Sequence, residues 1–199
     1  REFLMKDLYS FSRDQLEHDA FYEKTKEAYT KIFQRVGIGE HVFLTFASGG
    51  SFSKYSHEFQ AVSEAGEDTI FLDRKKGIAI NKEVYTGEVL EELKINKDDL
   101  EEVRAIEVGN IFNLGTRFSE PLHLSYADEE GNKKPVVMGS YGIGPGRLMA
   151  TVVELMHDEK GLIWPEAIAP FRVHLIDLDQ PEEGRKRYQE LIDARVSVL

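Results

Sequence analysis

The sequence predicts an α+β fold in which an antiparallel sheet is flanked by helices. Three observations carry that expectation. Residues 12–37 repeat apolar side chains at helical spacing, and residues 105–140 alternate in short runs broken by a hairpin turn. A glycine-rich turn after the last of these runs then opens directly into a second helix.

At 199 residues the chain can hold one large domain, or one domain and the start of another. A content of 41% hydrophobic and 31% charged residues is that of a folded globular protein. No apolar run approaches the roughly 20 residues of a membrane-spanning helix, and no signal-like start is present. The absence of cysteine excludes disulfides and thiolate zinc sites. A net charge of −11 argues against broad electrostatic binding of nucleic acid, so any RNA contact is local.

Residues 1–9 read as a strand, with Phe3, Met5 and Tyr9 alternating against charged neighbours. The helix over 12–37 follows, with Ser12 and Gln15 as a capping box. Leu16, Phe21, Ala28, Ile32, Phe33 and Val36 form its apolar face, and Gly37 stops it. Residues 41–47 alternate as a strand and lead into a loop rich in glycine and serine over 48–55. The next strand, 56–62, sets His57, Phe59 and Ala61 on one side. His57 is compatible with two readings, a pocket-wall histidine and a satisfied core histidine.

A turn over 64–68 leads to a short strand at 69–72. Residues 73–103 are polar and charged, which predicts a connector with a helix around 89–93 and a solvated outer face. Strands follow at 105–112, 122–127 and 135–140, the last two joined by a turn over 128–132. Beyond the glycine turn and its helix, 172–177 reads as a strand and 181–194 as a helix capped by Asp179 or a nearby group. Residues 196–199 open a further strand. Both ends read as interrupted, so the expectation is a piece of a longer protein.

The stretch with the clearest chemical content is 138–147. Gly142 and Gly144 leave the backbone open, and Pro145 and Arg147 occupy the first helical turn. Free backbone N–H groups and one guanidinium then converge on a small volume, as a phosphate site requires. A purely structural turn is the other reading. A dinucleotide fingerprint needs glycine where Arg147 stands, and no Gly-Lys-Ser/Thr of a P-loop occurs.

Arg1-Glu2-Phe3-Leu4-Met5, Ser56-His57-Glu58-Phe59, Gly66-Glu67-Asp68-Thr69, Glu107-Val108-Gly109, and Gly142-Ile143-Gly144 with Arg147 occur in that order. Trp164-Pro165 precedes Ala169-Pro170-Phe171. Together these resemble bacterial-type prolyl-tRNA synthetases, from the second half of motif 2 to the start of the anticodon-binding domain. The resemblance implies a partial class II catalytic core over residues 1–168 and the start of an α/β anticodon-binding domain over 169–199. It implies a proline–tRNA ligase that joins proline to ATP as prolyl-adenylate and passes it to tRNA(Pro).

Position by position, the resemblance makes Arg147 the catalytic arginine on the ATP γ-phosphate. It puts Arg1, Phe3, Gly142 and Gly144 with ATP, and Met5, Ser56, His57 and Ser140 around proline. ATP with Mg²⁺ is the implied cofactor, Glu107 a speculative Mg²⁺ ligand, and a cytoplasmic homodimer the implied state of the full-length protein. Motif 1, the first half of motif 2 and the proline-gripping upstream loop have no counterpart here. Ser51 to Tyr55 depart from the family's glycine loop, Ser140 stands for a frequent cysteine, and Asn110 for a frequent histidine. Residues 73–103 are too short for the editing domain of many bacterial members, so no editing in cis is expected. A non-catalytic synthetase-like protein that binds an amino acid or adenylate is the alternative; the γ-phosphate arginine favours the enzyme.

Overall fold

The computed structural model describes residues 2–49 and 55–199. Strand β1 (Lys6–Ser12) begins later than the sequence predicts and runs on into Ser12. Helix α1 (Gln15–Arg35) is therefore shorter than 12–37, and its cap is Asp14, whose carboxylate accepts from the Glu17 backbone N–H at 2.8 Å. Glu17 reaches back to the Arg13 N–H at 2.8 Å. This replaces the expected Ser12–Gln15 box, because Ser12 is committed to the sheet. At the other end Gly37 takes a φ of 87° while the Ile38 N–H bonds the Phe33 carbonyl, so the expected stop is a left-handed cap.

The buried stripe of α1 is His18, Tyr22, Thr25, Tyr29 and Phe33. Only Phe33 is shared with the expected apolar face, and Leu16 is 80% exposed. The stripe is rotated because the helix buries tyrosine rings whose hydroxyls are satisfied inside. Tyr22 donates to the Ile111 carbonyl at 3.1 Å, and the Tyr29 hydroxyl accepts from Lys6 Nζ at 2.5 Å. These rings pack with Phe59, Ala61, Val108, Ile111, Tyr141 and Ile143 into the main core.

The strands after α1 are β2 (Val42–Ser48), β3 (Tyr55–Val62), β4 (Asp68–Asp73) and β5 (Ile78–Asn81). Helix α2 (Gly87–Glu92) precedes the long β6 (Glu101–Gly115); β7 (Ser125–Ala127), β8 (Lys133–Pro135) and β9 (Val137–Ile143) follow. The main sheet is ordered β1-β9-β6-β3-β2-β5-β4, and β4 also pairs with the start of β6. All its pairings are antiparallel except β2 with β5. β6 is thus the spine, with β3 and β9 alongside it.

The connector expected over 73–103 is more structured than its charge suggests. It contributes β5 to the sheet and buries Ile80, Val84, Val89 and Ile95 as a separate small core. Those side chains are spaced among charged residues that face outward, which hid the strand in the sequence pattern. The strand expected over 122–127 shrinks to β7, since turns occupy 116–123; the one expected over 135–140 divides into β8 and β9.

Helix α3 (Pro145–Leu155) leaves β9 through Gly144, with Pro145 in its first turn. A short ribbon of β10 (His157–Asp158) and β11 (Gly161–Leu162) follows, then α4 (Pro181–Asp193). Residues 172–177 form no strand of their own. They meet 196–199 through one parallel bridge, Val173 to Val198, with Leu199 N–H bonded to the Val173 carbonyl at 3.0 Å. The cap of α4 is Gln180 rather than Asp179, and Asp177 accepts from its N–H.

Candidate functional site

Strand alternation decides what can meet at a site. On the central strands Gly142 pairs with both Asn110 and Asp7, and Glu58 pairs with Asn110. These four residues share one sheet face, opposite the face that carries Tyr141, Ile111 and His57 against α1. The chain before β1, the β9–α3 turn and the middle of β6 enclose a cleft on that first face. Its volume is about 470 Å³.

Phe3, Met5, Glu107, Gly142, Gly144 and Arg147 all line this cleft, with Leu4, Val108, Gly109, Asn110, Pro145 and Gly146. The two glycines have a visible steric reason. A Cβ on Gly142 would sit 3.0 Å from Asn110 Oδ1 and 3.2 Å from Met5 Cε, and one on Gly144 would sit 3.5 Å from Met5 Sδ. Side chains there would fill the space between Met5 and the sheet. Gly146 and Arg147 supply N–H groups of the first turn of α3, which have no partner within the helix. The Arg147 side chain is 59% exposed, and its guanidinium donates through Nη1 to Glu107 Oε2 at 3.1 Å and to the Glu107 carbonyl at 3.2 Å. Asn110 Nδ2 donates to the other Glu107 oxygen, Oε1, at 2.9 Å. Positive charge, free N–H groups, exposed Phe3 and apolar Met5 suit a ligand with a phosphate and a flat ring.

Three expected residues fall elsewhere, and Arg1 lies outside the described residues together with 50–54. Ser56 is buried and donates to the Ser48 carbonyl at 2.9 Å. Ser140 sits in β9 opposite Phe112 and Tyr9, outside the lining of the cleft. His57 faces α1: its Nδ1 is 3.0 Å from the Tyr22 hydroxyl, and it borders a separate depression with Tyr22, Glu23 and Lys26. A proline-pocket role for His57 therefore disagrees with its placement, because its neighbour Glu58 takes the face that the cleft shares.

Glu58 and Asn110 are what the sequence reading left without a role. The signal was available, since alternation on 56–62 puts Glu58 opposite His57. Burial pushes the Glu58 carboxyl up to about 7, with the Glu107 charge adding to the effect and hydrogen bonds from Gln60 and Asn81 opposing it. Burial, helped by the Lys26 charge, pushes His57 down to about 4. These act oppositely on stability. His57 contributes stability that is complete above about 6.5 and is lost as pH falls towards about 4. Glu58 contributes stability that is complete below about 4.5 and is lost as pH rises towards about 7. Glu58→Gln should therefore stabilise the fold at pH 8 by on the order of 2 kcal/mol, and by little at pH 4.5. Urea unfolding at the two pH values reads this directly.

No cluster of three or more His, Cys, Asp or Glu is arranged to hold a metal among the described residues. Among the described residues that line the cleft, Glu107 is the one carboxylate. No helix among the described residues is long and apolar enough to cross a membrane.

A family model described as tRNA synthetase class II core domain (G, H, P, S and T) matches residues 1–156. The chain belongs to this class II synthetase core family. Its α+β core, a largely antiparallel sheet with α1 and α3 packed on it, is the class II fold. The chain is 36% identical to the proline–tRNA ligase of Anaplasma marginale (strain St. Maries), over 99% of this chain and 49% of that protein. It is 35% identical to the proline–tRNA ligase of Ehrlichia chaffeensis (strain ATCC CRL-10679 / Arkansas), over 96% of this chain and 47% of that protein. Among solved structures, prolyl-tRNA synthetase from Cryptosporidium parvum, complexed with L-proline and AMP, aligns with a TM-score of 0.67 at 18% identity. That alignment covers 100% of this chain and 35% of the other, and shows a shared fold. The class II chain described here spans about half the length of the curated relatives it matches.

Proposed function

We propose that this class II core belongs to a proline–tRNA ligase and that the cleft between residues 3–5, β6 and the start of α3 receives ATP and proline. The observation that carries the reading is the convergence of Phe3, Met5, Glu107, Gly142, Gly144 and Arg147 on one cleft. The relatives that align along almost the whole chain are proline–tRNA ligases, which supports the choice of amino acid.

In the proposed reaction the proline carboxylate attacks the α-phosphorus of ATP, giving prolyl-adenylate and pyrophosphate. The prolyl group then passes to the terminal ribose of tRNA(Pro). The chain's contribution is to position and neutralise rather than to move protons. Phe3 offers its ring to adenine, while Gly142 and Gly144 let the nucleotide lie against backbone. Arg147 and the N–H groups at the start of α3 meet the phosphates. Met5 forms the apolar side of the amino-acid end; His57 supports the sheet from behind through Tyr22. Glu107 would be the protein ligand of a Mg²⁺ carried by the phosphates, which would supply charge neutralisation there. Arg1 is assigned to the same nucleotide site on its sequence alone. Residues 169–199 are assigned to the start of an anticodon-binding unit, and a cytoplasmic homodimer acting on tRNA(Pro) is the proposed working form.

Thermal unfolding with a non-hydrolysable prolyl-adenylate analogue tests the reading. At about 100 times its dissociation constant the analogue should stabilise the fold by roughly 2.7 kcal/mol. An alanyl-adenylate analogue at the same concentration should stabilise it much less. Equal stabilisation by both would remove proline from the proposal, and no stabilisation by either would remove the cleft.

A further inference from the structure

Arg147 is held in the cleft by a carboxylate that a second donor shares. Glu107 has two oxygens: Asn110 Nδ2 takes Oε1 at 2.9 Å, and Arg147 Nη1 takes Oε2 at 3.1 Å. Arg147's second contact, with the Glu107 carbonyl, uses the same Nη1 at 3.2 Å. Among the described residues Nη2 and Nε of Arg147 have no hydrogen-bond partner. An arginine beside a free carboxylate ordinarily pairs through two parallel bonds, the stronger geometry. Here one nitrogen makes both contacts, and the Asn110 amide competes for the second oxygen.

We propose that Asn110 is a positioning residue for anion binding: by occupying one oxygen of Glu107 it keeps Arg147 oriented into the cleft but not chelated. The rest of the fork, Nη2 and Nε, then faces an incoming phosphate without first breaking a two-point ion pair. Asn110 is well placed to be rigid. It lies in the spine strand β6, paired with Glu58 on one side and Gly142 on the other. Its Oδ1 lies where a Cβ on Gly142 would meet it at 3.0 Å, so the glycine leaves room for this rotamer. The inference rests on the proposed nucleotide reading for its ligand, though not for the contacts themselves.

Without Asn110, both Glu107 oxygens are free to capture Arg147, and a phosphate ligand must compete for the whole guanidinium. In Mg²⁺-free buffer with chelator, Asn110→Ala should weaken ATP binding about 5- to 10-fold by calorimetry. Adenosine, which has no phosphate, should bind within about twofold of the parent protein. Glu107→Gln leaves only one acceptor oxygen at position 107, so adding Asn110→Ala to it should cost no further ATP affinity. Asn110→His, whose ring N–H can donate to Glu107, should restore most of the loss.

Two results would overturn the proposal: equal weakening of adenosine and ATP, which would make Asn110 part of the pocket wall, or an undiminished Asn110→Ala effect in Glu107→Gln. If the parent protein binds no ATP, the nucleotide reading fails separately. The contacts are then read without ligand, from the ¹⁵N guanidinium resonance of Arg147, identified by its loss in Arg147→Lys. Slower rotation about Nε–Cζ in Asn110→Ala than in the parent protein supports the positioning role. Unchanged or faster rotation refutes it.

Discussion

Arg147→Ala is expected to reduce proline-dependent ATP–pyrophosphate exchange by the full-length protein on the order of 100-fold in kcat/KM for ATP. Among the described residues that line the cleft, Arg147 carries the one cationic side chain, and it stands beside the free N–H groups where α3 begins. Removing it takes away the cleft's described cationic contact to the phosphates and leaves the backbone dipoles of α3 in its place. The fold should hardly notice. The Arg147 side chain is 59% exposed and Glu107 keeps its bond from Asn110, so the lost ion pair is worth less than about 1 kcal/mol. A variant with unchanged unfolding and greatly reduced exchange has lost function rather than structure. If exchange fell less than about threefold, Arg147 would be a surface residue and the phosphates would lie elsewhere.

Gly66→Ala should have the largest effect on stability, about 3 kcal/mol or more. A Cβ at this position would lie 2.3 Å from the Ala105 carbonyl oxygen, 2.4 Å from its carbon and 2.5 Å from the Ala105 nitrogen. These are backbone atoms of the spine strand and have no rotamer to escape into. Neither side can yield easily. Ala105 is registered with Val62 on β3 and with Asp68 on β4, while Gly66 donates to the Ser63 carbonyl and its own carbonyl accepts from Arg104 Nε at 2.9 Å. Urea unfolding at pH 7 measures the loss. Because Glu107 lies two residues beyond Ala105, any surviving fold should also bind ATP less tightly. A loss below about 1 kcal/mol would mean that the β3–β4 corner is not packed against β6 as described.

The two substitutions show how unevenly the structure was legible. The phosphate-facing turn could be read because glycine, proline and arginine act locally there: each constrains backbone or charge within one turn, whatever packs around it. Gly66 could be placed in a turn, but nothing in the sequence says that Ala105 of a strand almost 40 residues away leaves no room for a methyl group. The helix expected over 12–37 is present over 15–35, but of its expected face only Phe33 is fully buried, since Tyr22 and Tyr29 count as polar in a pattern yet satisfy their hydroxyls internally. β5 was hidden by charged neighbours, and its parallel pairing with β2 is non-local. His57 is the most instructive residue. Its place in a family motif pointed to the amino-acid pocket, whereas simple alternation put His57 and Glu58 on opposite faces of β3. Only the pairing with β6 and β9 says which of those faces carries the cleft.

Proline-dependent exchange of labelled pyrophosphate into ATP by the full-length protein tests the central claim most directly. The proposed ligase should exchange with proline, at least about 100-fold less with alanine at equal concentration, and not at all without amino acid. Binding of ATP and proline with no exchange would contradict it, and would make this class II core a sensor of its ligands rather than the site of their activation.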